Sequence, residues 1–279
     1  MSDTKYTTLP YQPSFYMNLK QGSDEWKERR KDFPVTGSQI ASVFNLSAYN
    51  GSAKKLYQNK KNNTEEKFSR FQTEVIFGHG TRSEPIAAAR FWRWFQQEFP
   101  DKSQWTVAES GISTYKSRGK GYFFGASPDR LIVDEEGQIQ GIIEIKCPYK
   151  KVLHWNGFNN YLSFLKKHGS TPTTITETCN IRVYNEYYLQ MQMQMQSTGV
   201  KYGYFVGWTP YEMVIVKIPF SEELWKDTEQ KLEEFVEALN EGDTGKLIGK
   251  EETAKFEQRI KKLQDEKNVL VYYTTTSNS

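Results

Sequence analysis

The sequence predicts a mixed α/β fold, and three observations carry that reading. Apolar residues at helical spacing dominate the first third, short runs bounded by Gly and Asp fill the middle, and charged amphipathic helices close the chain. With 279 residues, 37% hydrophobic and 15% aromatic, the chain can bury a substantial core, as one large domain or as a domain with a helical appendix.

Taken in order, residues 1–20 carry Pro10, Pro13 and aromatics without period, which predicts an extended arm lying on the body. Helices are expected at Asp24 to Lys31 and at Ser38 to Asn45, the second opened by Thr36 and Gln39 at capping-box spacing. Between Gln72 and Phe99, Ile76, Phe77, Ile86, Ala87, Phe91 and Trp94 recur at helical intervals, predicting one long helix or two, interrupted near Pro85. Trp105 to Tyr115, Tyr122 to Val133 and Ile139 to Cys147 read as strands. A helix from Glu186 to Ser197 precedes two more strands, Tyr202 to Trp208 and Met213 to Ile218. Helices Glu222 to Glu241 and Glu251 to Asn268 and a polar tail from Thr274 complete the chain. The expected organisation is therefore an arm (1–20), a core (21–220) and C-terminal helices with a polar tail packed on the same domain (221–279).

Composition excludes several classes. A net charge of +3, from 37 basic and 34 acidic residues, does not by itself argue for nucleic acid. Cys147 and Cys179 are too few for a disulfide framework, a four-cysteine zinc site or an all-cysteine iron–sulfur cluster, which favours a reducing, intracellular setting. No apolar run is long enough to span a bilayer, and Met1 to Lys5 lacks a signal-peptide pattern, so a soluble protein without a membrane partner is expected.

The chemistry concentrates in one predicted hairpin, Gly125 to Val133 and Gln138 to Lys146, joined across Asp134 to Gly137. A two-residue turn at Glu136-Gly137 sets Glu135 opposite Gln138 and, in the same register, Asp129 opposite Glu144. Directly opposed carboxylates, with Cβ atoms about 4.5–5.5 Å apart, repel unless one is protonated or a cation lies between them. A hard divalent ion, Mg²⁺ or Mn²⁺, suits carboxylate and carbonyl oxygens, and no His is placed to favour zinc. Strand alternation in Gly141 to Lys146 puts Glu144 and Lys146 on one face, with Ile143 and Ile145 on the other. A lysine beside such an ion can orient or deprotonate a water and touch a phosphate oxygen, which is hydrolytic chemistry. A bare Glu-x-Lys is more often the wet face of a surface hairpin; the opposed Pro128-Asp129 brings the two readings level.

Ser127-Pro128-Asp129, followed by Glu144-Ile145-Lys146-Cys147-Pro148, resembles the paired motif of the PD-(D/E)XK nuclease superfamily, and more narrowly the lambda exonuclease and YqaJ-like viral recombinase family. Three further segments match in order: Trp26 with Arg30 and Thr36-Gly37-Ser38; Gly80-Thr81 with Glu84-Pro85; and Tyr188-Leu189-Gln190-Met191-Gln192. The resemblance implies a PD-(D/E)XK nuclease fold, with a mixed central sheet flanked by helices and helical additions at both ends. It implies a Mg²⁺-dependent deoxyribonuclease (Mn²⁺ substituting) that digests one strand of duplex DNA from a 5′ end for recombination or genome processing. Asp129, Glu144 and the carbonyl of Ile145 would hold metal, Lys146 would be the catalytic lysine, and Glu84 would complete the acidic site through a second metal or by holding a water. Arg30 and Ser38 would bind a terminal 5′ phosphate, with Gln190 and Gln192 lining the same site. Family members are often ring-shaped trimers that work with a single-strand annealing protein, and a virus- or phage-encoded source is implied. Two features depart from the pattern: Arg130 stands where the family often has glycine, and the interval from Arg30 to Ser38 is one residue longer than in the phage enzyme.

Each of these residues has a plainer reading. Glu84 can be a first-turn acid favoured by the helix dipole, and Arg29, Arg30 and Lys31 a solvated face. The alternating Gln190, Gln192, Gln194 and Gln196 are mostly packing residues, one or two reaching the site; His79 reads as structural and Cys147 as a small buried side chain. Lys116, Arg118 and Lys120 form either a phosphate-contacting loop or an exposed turn. The rival functions are an endonuclease on the same fold and a catalytically silent nucleic-acid-binding module.

Overall fold

The computed structural model describes residues 6–8, 15–47, 51–64, 68–149, 182–210 and 212–275. In chain order the elements are β1 (Tyr6–Thr8), β2 (Phe15–Met17), α1 (Asp24–Lys31), a 3₁₀ turn (Gly37–Gln39) leading into α2 (Ile40–Val43), and α3 (Ala53–Lys61). A π-helical turn (Gln72–Phe77) runs directly into α4 (Gly78–Glu98). Then come β3 (Thr106–Glu109), β4 (Ile112–Lys116), β5 (Phe123–Ala126), β6 (Arg130–Val133), β7 (Ile139–Lys146), α5 (Asn185–Thr198), β8 (Tyr202–Trp208) and β9 (Glu212–Pro219). The chain closes with α6 (Glu222–Glu241), α7 (Lys250–Lys267) and β10 (Val269–Thr275).

The strands form a six-stranded sheet, ordered β10-β9-β8-β7-β6-β3, and a four-stranded sheet, ordered β1-β2-β4-β5. In the larger sheet β7 and β8 are parallel and the other neighbours antiparallel, so the sheet is mixed, and α5 lies in the crossover that a parallel pair demands. Apolar side chains cover both of its faces. On one, Ala87, Phe91, Trp94 and Phe95 of α4 pack with Ile132, Ile143, Ile145 and Tyr204. On the other, Leu189 and Met193 of α5, Trp225 of α6 and Ile260 of α7 share a cluster with Leu131, Ile142 and Phe205. Burying each such large side chain contributes about 1.5–3 kcal/mol, enough to fix both helical layers against the strands.

Several sequence expectations change in the structure. Trp105 to Tyr115 and Tyr122 to Val133 are not single strands; each is two, β3 with β4 and β5 with β6, and both pairs switch sheets at their break. The second break falls at Ser127-Pro128-Asp129, where proline has no N–H to give a ladder. Pro85 does not interrupt α4: the bond to the Thr81 carbonyl is forfeited, but the buried seam of Ala87, Ala88, Phe91 and Trp94 holds the helix across it. The expected helix from Ser38 is shorter and begins as 3₁₀, although Thr36 N–H does donate to Gln39 Oε1 (3.2 Å). The predicted arm contributes β1 and β2 to the small sheet, and the predicted polar tail supplies Thr274 and Thr275 to β10. Pro10, Pro13 and Cys179 lie outside the described residues. No helix among the described residues is long and apolar enough to cross a membrane.

Candidate active site

Asp129 sits at the corner where the chain leaves β5 in one sheet and enters β6 in the other. Arg130 pairs with Ile143, Leu131 with Ile142 and Ile132 with Gly141, so the same register carries Asp129 to Glu144. The turn differs from the expected two-residue one. Asp134 N–H donates to the Gln138 carbonyl (3.0 Å) and Gly137 N–H to the Asp134 carbonyl (3.1 Å), closing a three-residue loop with Gly137 at φ +78°. A bulge between the Ile132 and Val133 pairings then restores the register, so the two offsets cancel before the acids are reached. Asp129 Oδ2 accepts the backbone N–H of Ile145 (2.6 Å), which ties the corner to β7.

Glu144 is fully buried, and each of its oxygens is held. Oε1 receives the Lys146 ammonium and Gln190 Nε2 (2.7 Å); Oε2 receives Gln194 Nε2 (2.7 Å), which also donates to the Ser127 carbonyl (3.1 Å). Burial and then the neighbouring Glu144 charge hold the Asp129 carboxyl well above its ordinary range. Burial draws Lys146 down, but Glu144 and Asp129 outweigh it and leave the lysine above its ordinary value, an ammonium. Burial and the Glu84 and Asp129 charges push the Cys147 thiol up to about 12, so it is a neutral, unreactive side chain.

This donor set fits a hard divalent ion. Among the described residues the desolvated Asp129–Glu144 pair has no charge compensation beyond Lys146 and Arg130, and Mg²⁺ characteristically takes one or two carboxylates and fills its remaining positions with other oxygens. Among the described residues no three His, Cys, Asp or Glu side chains gather into a metal-sized cluster. Glu84, on α4, is close enough for its charge to raise Asp129 further, but its Oε1 accepts from Arg130 Nη1 (2.6 Å).

A second pocket lies beside the acids. Arg30 Nη2 donates to Ser38 Oγ (2.8 Å) and Thr36 Oγ1 (3.2 Å), and its guanidinium lies 4.3 Å from the Trp26 ring centroid. Trp26 Nε1 donates in turn to Ser127 Oγ (3.1 Å), in the same corner that Gln194 holds by its carbonyl. Burial pulls Arg30 down to about 10. Lys60 of α3 donates to the Phe33 carbonyl (2.9 Å) and is lowered by burial and by Arg30. Among the described residues no carboxylate pairs with either cation, so an anion would relieve both. The turn bearing Ser38 presses close: a methyl on Gly37 would come within 3.2 Å of Ala126 Cβ and 3.8 Å of Gln190 Cγ.

The family model of the YqaJ-like viral recombinase domain matches residues 25–201, more than half the chain and the span that holds both pockets. The chain belongs to the YqaJ-like viral recombinase family. Among solved structures, an alkaline exonuclease from Laribacter hongkongensis is 25% identical, with a TM-score of 0.50, covering 86% of this chain and 100% of its own. The same exonuclease in complex with dAMP matches at 24% identity and a TM-score of 0.50, with the same coverage. No curated protein matches the chain. The mixed sheet with helices on both faces agrees with the PD-(D/E)XK fold expected of a YqaJ-like protein.

Within this YqaJ-like chain the structure brings together Asp129, Glu144, Lys146 and Gln190, and separately Arg30 and Ser38. It does not bring Gln192 to the acids: its Nε2 donates to the Pro219 carbonyl (3.0 Å) and its Oε1 accepts from Ser221 N–H (2.8 Å). Sequence reasoning does not single out Gln194, though residues four apart share a helix face and residues two apart do not, so Gln190 points to it. Nor does it single out Lys60; among the lysines of α3 no local signal marks it. The Lys116 to Lys120 loop is not a free phosphate-contacting loop, because Arg118 pairs with Glu229 (3.0 Å) and Lys120 with Glu237 (3.0 Å) on α6. His79, on α4, faces Ser83 Oγ (3.5 Å) and the Tyr149 ring.

Proposed function

We propose that this protein is a divalent-metal-dependent exonuclease that digests one strand of duplex DNA from a 5′ end. The observation that carries the reading is the pairing of a buried carboxylate–lysine site with a cationic pocket, joined through Trp26 and the Ser127-Pro128-Asp129 corner. Asp129, Glu144 and the Ile145 carbonyl are the groups to hold Mg²⁺, with Mn²⁺ able to substitute. When bound, such an ion supplies Lewis-acid polarisation of the scissile phosphate and a more acidic water. Lys146, fixed by Glu144, is placed to orient water and to contact a phosphate oxygen, while Gln190 and Gln194 keep the Glu144 carboxylate in one orientation.

The pocket of Arg30, Lys60, Thr36 and Ser38 suits a terminal phosphomonoester, whose charge of about −1.5 to −2 exceeds that of an internal phosphodiester. A site that reads an end favours exonucleolytic cutting over internal cutting. Outside the pocket, Arg82, Arg90 and Arg93 lie exposed along α4 in a stripe about 80° wide at helical spacing, a track for the DNA backbone.

The test is degradation of linear duplex DNA labelled separately at each end, with 5′-phosphate or 5′-hydroxyl termini and closed circles as control. Loss starting at 5′-phosphorylated ends in Mg²⁺, absent in EDTA and in Lys146→Ala, is the expected result. Cutting of closed circles would replace the exonuclease with an endonuclease; intact DNA retained in a gel by the wild type would leave only a binding module.

A further inference from the structure

The resemblance leaves Glu84 either on a second metal or on a water. We propose that Arg130 is the resident second cation of the acidic site: it holds Glu84 away from metal, so that the site takes a single divalent ion between Asp129 and Glu144. This rests on the metal-dependent reading above.

The fold dictates the placement of Arg130. It opens β6 opposite Ile143, on the sheet face that packs against α4 through Ile132, Ile143 and Ile145. Glu84 lies on α4 just before Ala87 and Ala88, which are buried in that same seam. The two side chains therefore meet between two layers rather than on open surface, with only 14% of the Arg130 side chain and 30% of the Glu84 side chain exposed. Arg130 Nη1 donates to Glu84 Oε1 (2.6 Å) and to the carbonyl of Asp129 itself (2.5 Å), so one guanidinium bridges the α4 acid and the backbone of the metal-binding corner.

Charge balance favours one ion. With a metal ion bound and both ligand carboxylates ionised, Asp129, Glu144 and Glu84 supply three negative charges, and Lys146 and Arg130 return two. The remaining negative charge and that of one phosphodiester are cancelled by a single divalent ion; a second would leave an excess of two positive charges in a buried site. With glycine at position 130 the protein would be one charge more negative and the Glu84 carboxylate would be released toward the acids.

The measurement is Mn²⁺ stoichiometry by calorimetric titration of the chelator-treated full chain, with electron paramagnetic resonance counting bound ion, on wild type, Arg130→Gly, Glu84→Gln and Asp129→Asn. One Mn²⁺ per wild-type chain, two in Arg130→Gly, and an unchanged count in Glu84→Gln, at an affinity lowered only by the lost charge, are expected. Two ions in the wild type, or loss of an ion in Glu84→Gln, would overturn the role of Arg130 even if Arg130→Gly fails to fold. Asp129→Asn separates the two readings: if it leaves Mn²⁺ binding intact, the metal site itself is misplaced and the proposal falls with it.

Discussion

Gln194 and Gln192 offer a sharp comparison, because they lie two residues apart on one buried helix and do different work. Replacing Gln194 by Leu, close in volume, removes one hydrogen bond to a buried carboxylate and one to the Ser127 carbonyl. The first is worth about 1.5–3 kcal/mol and the second about 0.5–1.5, so the variant should lose about 2–4.5 kcal/mol of stability. Gln192→Leu removes bonds to the Pro219 carbonyl and from the Ser221 N–H, for a loss of about 1–3 kcal/mol. The two losses overlap, so stability alone cannot separate the variants. Activity can: freeing Glu144 from Gln194 should cost about 10–100-fold in turnover or in Mg²⁺ affinity, as removal of an outer support of a metal ligand does. Gln192→Leu should keep wild-type activity per folded molecule. Urea unfolding gives the stabilities, and the Mg²⁺ dependence of duplex degradation, at a temperature where both variants are folded, gives the function. Equal activity losses, or a greater loss in Gln192→Leu, would refute the assignment of helix faces.

Three further outcomes are expected. Asp129 is held above its ordinary value of 3.8, so its contribution to stability is full below that pH and is lost as pH rises through the elevated folded value. The metal-free Asp129→Asn variant should therefore gain on the wild type in urea midpoint as pH rises from 4 to 8, while cleaving no DNA; a constant difference across that range would contradict the electrostatic account. Trp26→Phe keeps a ring beneath Arg30 but removes the bond to Ser127 Oγ, and Lys60→Met removes one cation of the pocket. Both should lower the ratio of cleavage rates on 5′-phosphate and 5′-hydroxyl ends, whereas a ratio that holds while absolute rates fall would remove the pocket from end recognition. On DNA retained by the Lys146→Ala protein, adding Arg90→Ala with Arg93→Ala should flatten the slope of log affinity against log salt by about 0.9 for each phosphate no longer neutralised, measured by fluorescence anisotropy. An unchanged slope would take α4 off the path of the DNA.

What the sequence made legible follows from the range of the interactions involved. α1, β8 and α6 come out with the expected ends, because local period and capping residues such as Ser23 and Ser221 determine them. The register at the acids was also legible, although through a turn of a different kind, since the bulge that corrects it leaves no mark in a two-residue turn rule. The switching of strands between sheets was not legible. An apolar run reads the same whether it stays in one sheet or bends at Ser110-Gly111 or Pro128-Asp129 into another, and only long-range pairing decides. β10 escaped for a related reason: its threonines look like a tail until β9 supplies a partner. At the site, strand alternation set Glu144 and Lys146 on one face, but the α5 glutamines that hold Glu144, the α4 acid that pairs with Arg130 and the α3 lysine beside Arg30 come from distant parts of the chain.

That division explains why the corner at Ser127-Pro128-Asp129 is so heavily supported. A chain that changes sheets there has lost ladder bonds on both sides, and other groups take them up. Gln21 Nε2 donates to the Pro128 carbonyl (2.5 Å), Gln194 to the Ser127 carbonyl, Trp26 to the Ser127 hydroxyl and Arg130 to the Asp129 carbonyl. Through them α1 and α5 are fastened to one turn, and Arg130 extends the connection to Glu84 on α4. The supports of the corner thus have a second consequence. The group that stacks beneath Arg30, the group that holds Glu144 and the group that holds Glu84 are the same ones that fix Asp129, so the cationic pocket and the acidic site cannot shift independently. An enzyme that must hold a strand end at one point while cutting at another needs that fixed spacing more than it needs a particular loop sequence. A substitution at the corner that leaves Asp129 in place, such as Ser127→Ala, should for this reason disturb end selection and metal affinity together, and a change in only one of them would show that the two pockets are uncoupled.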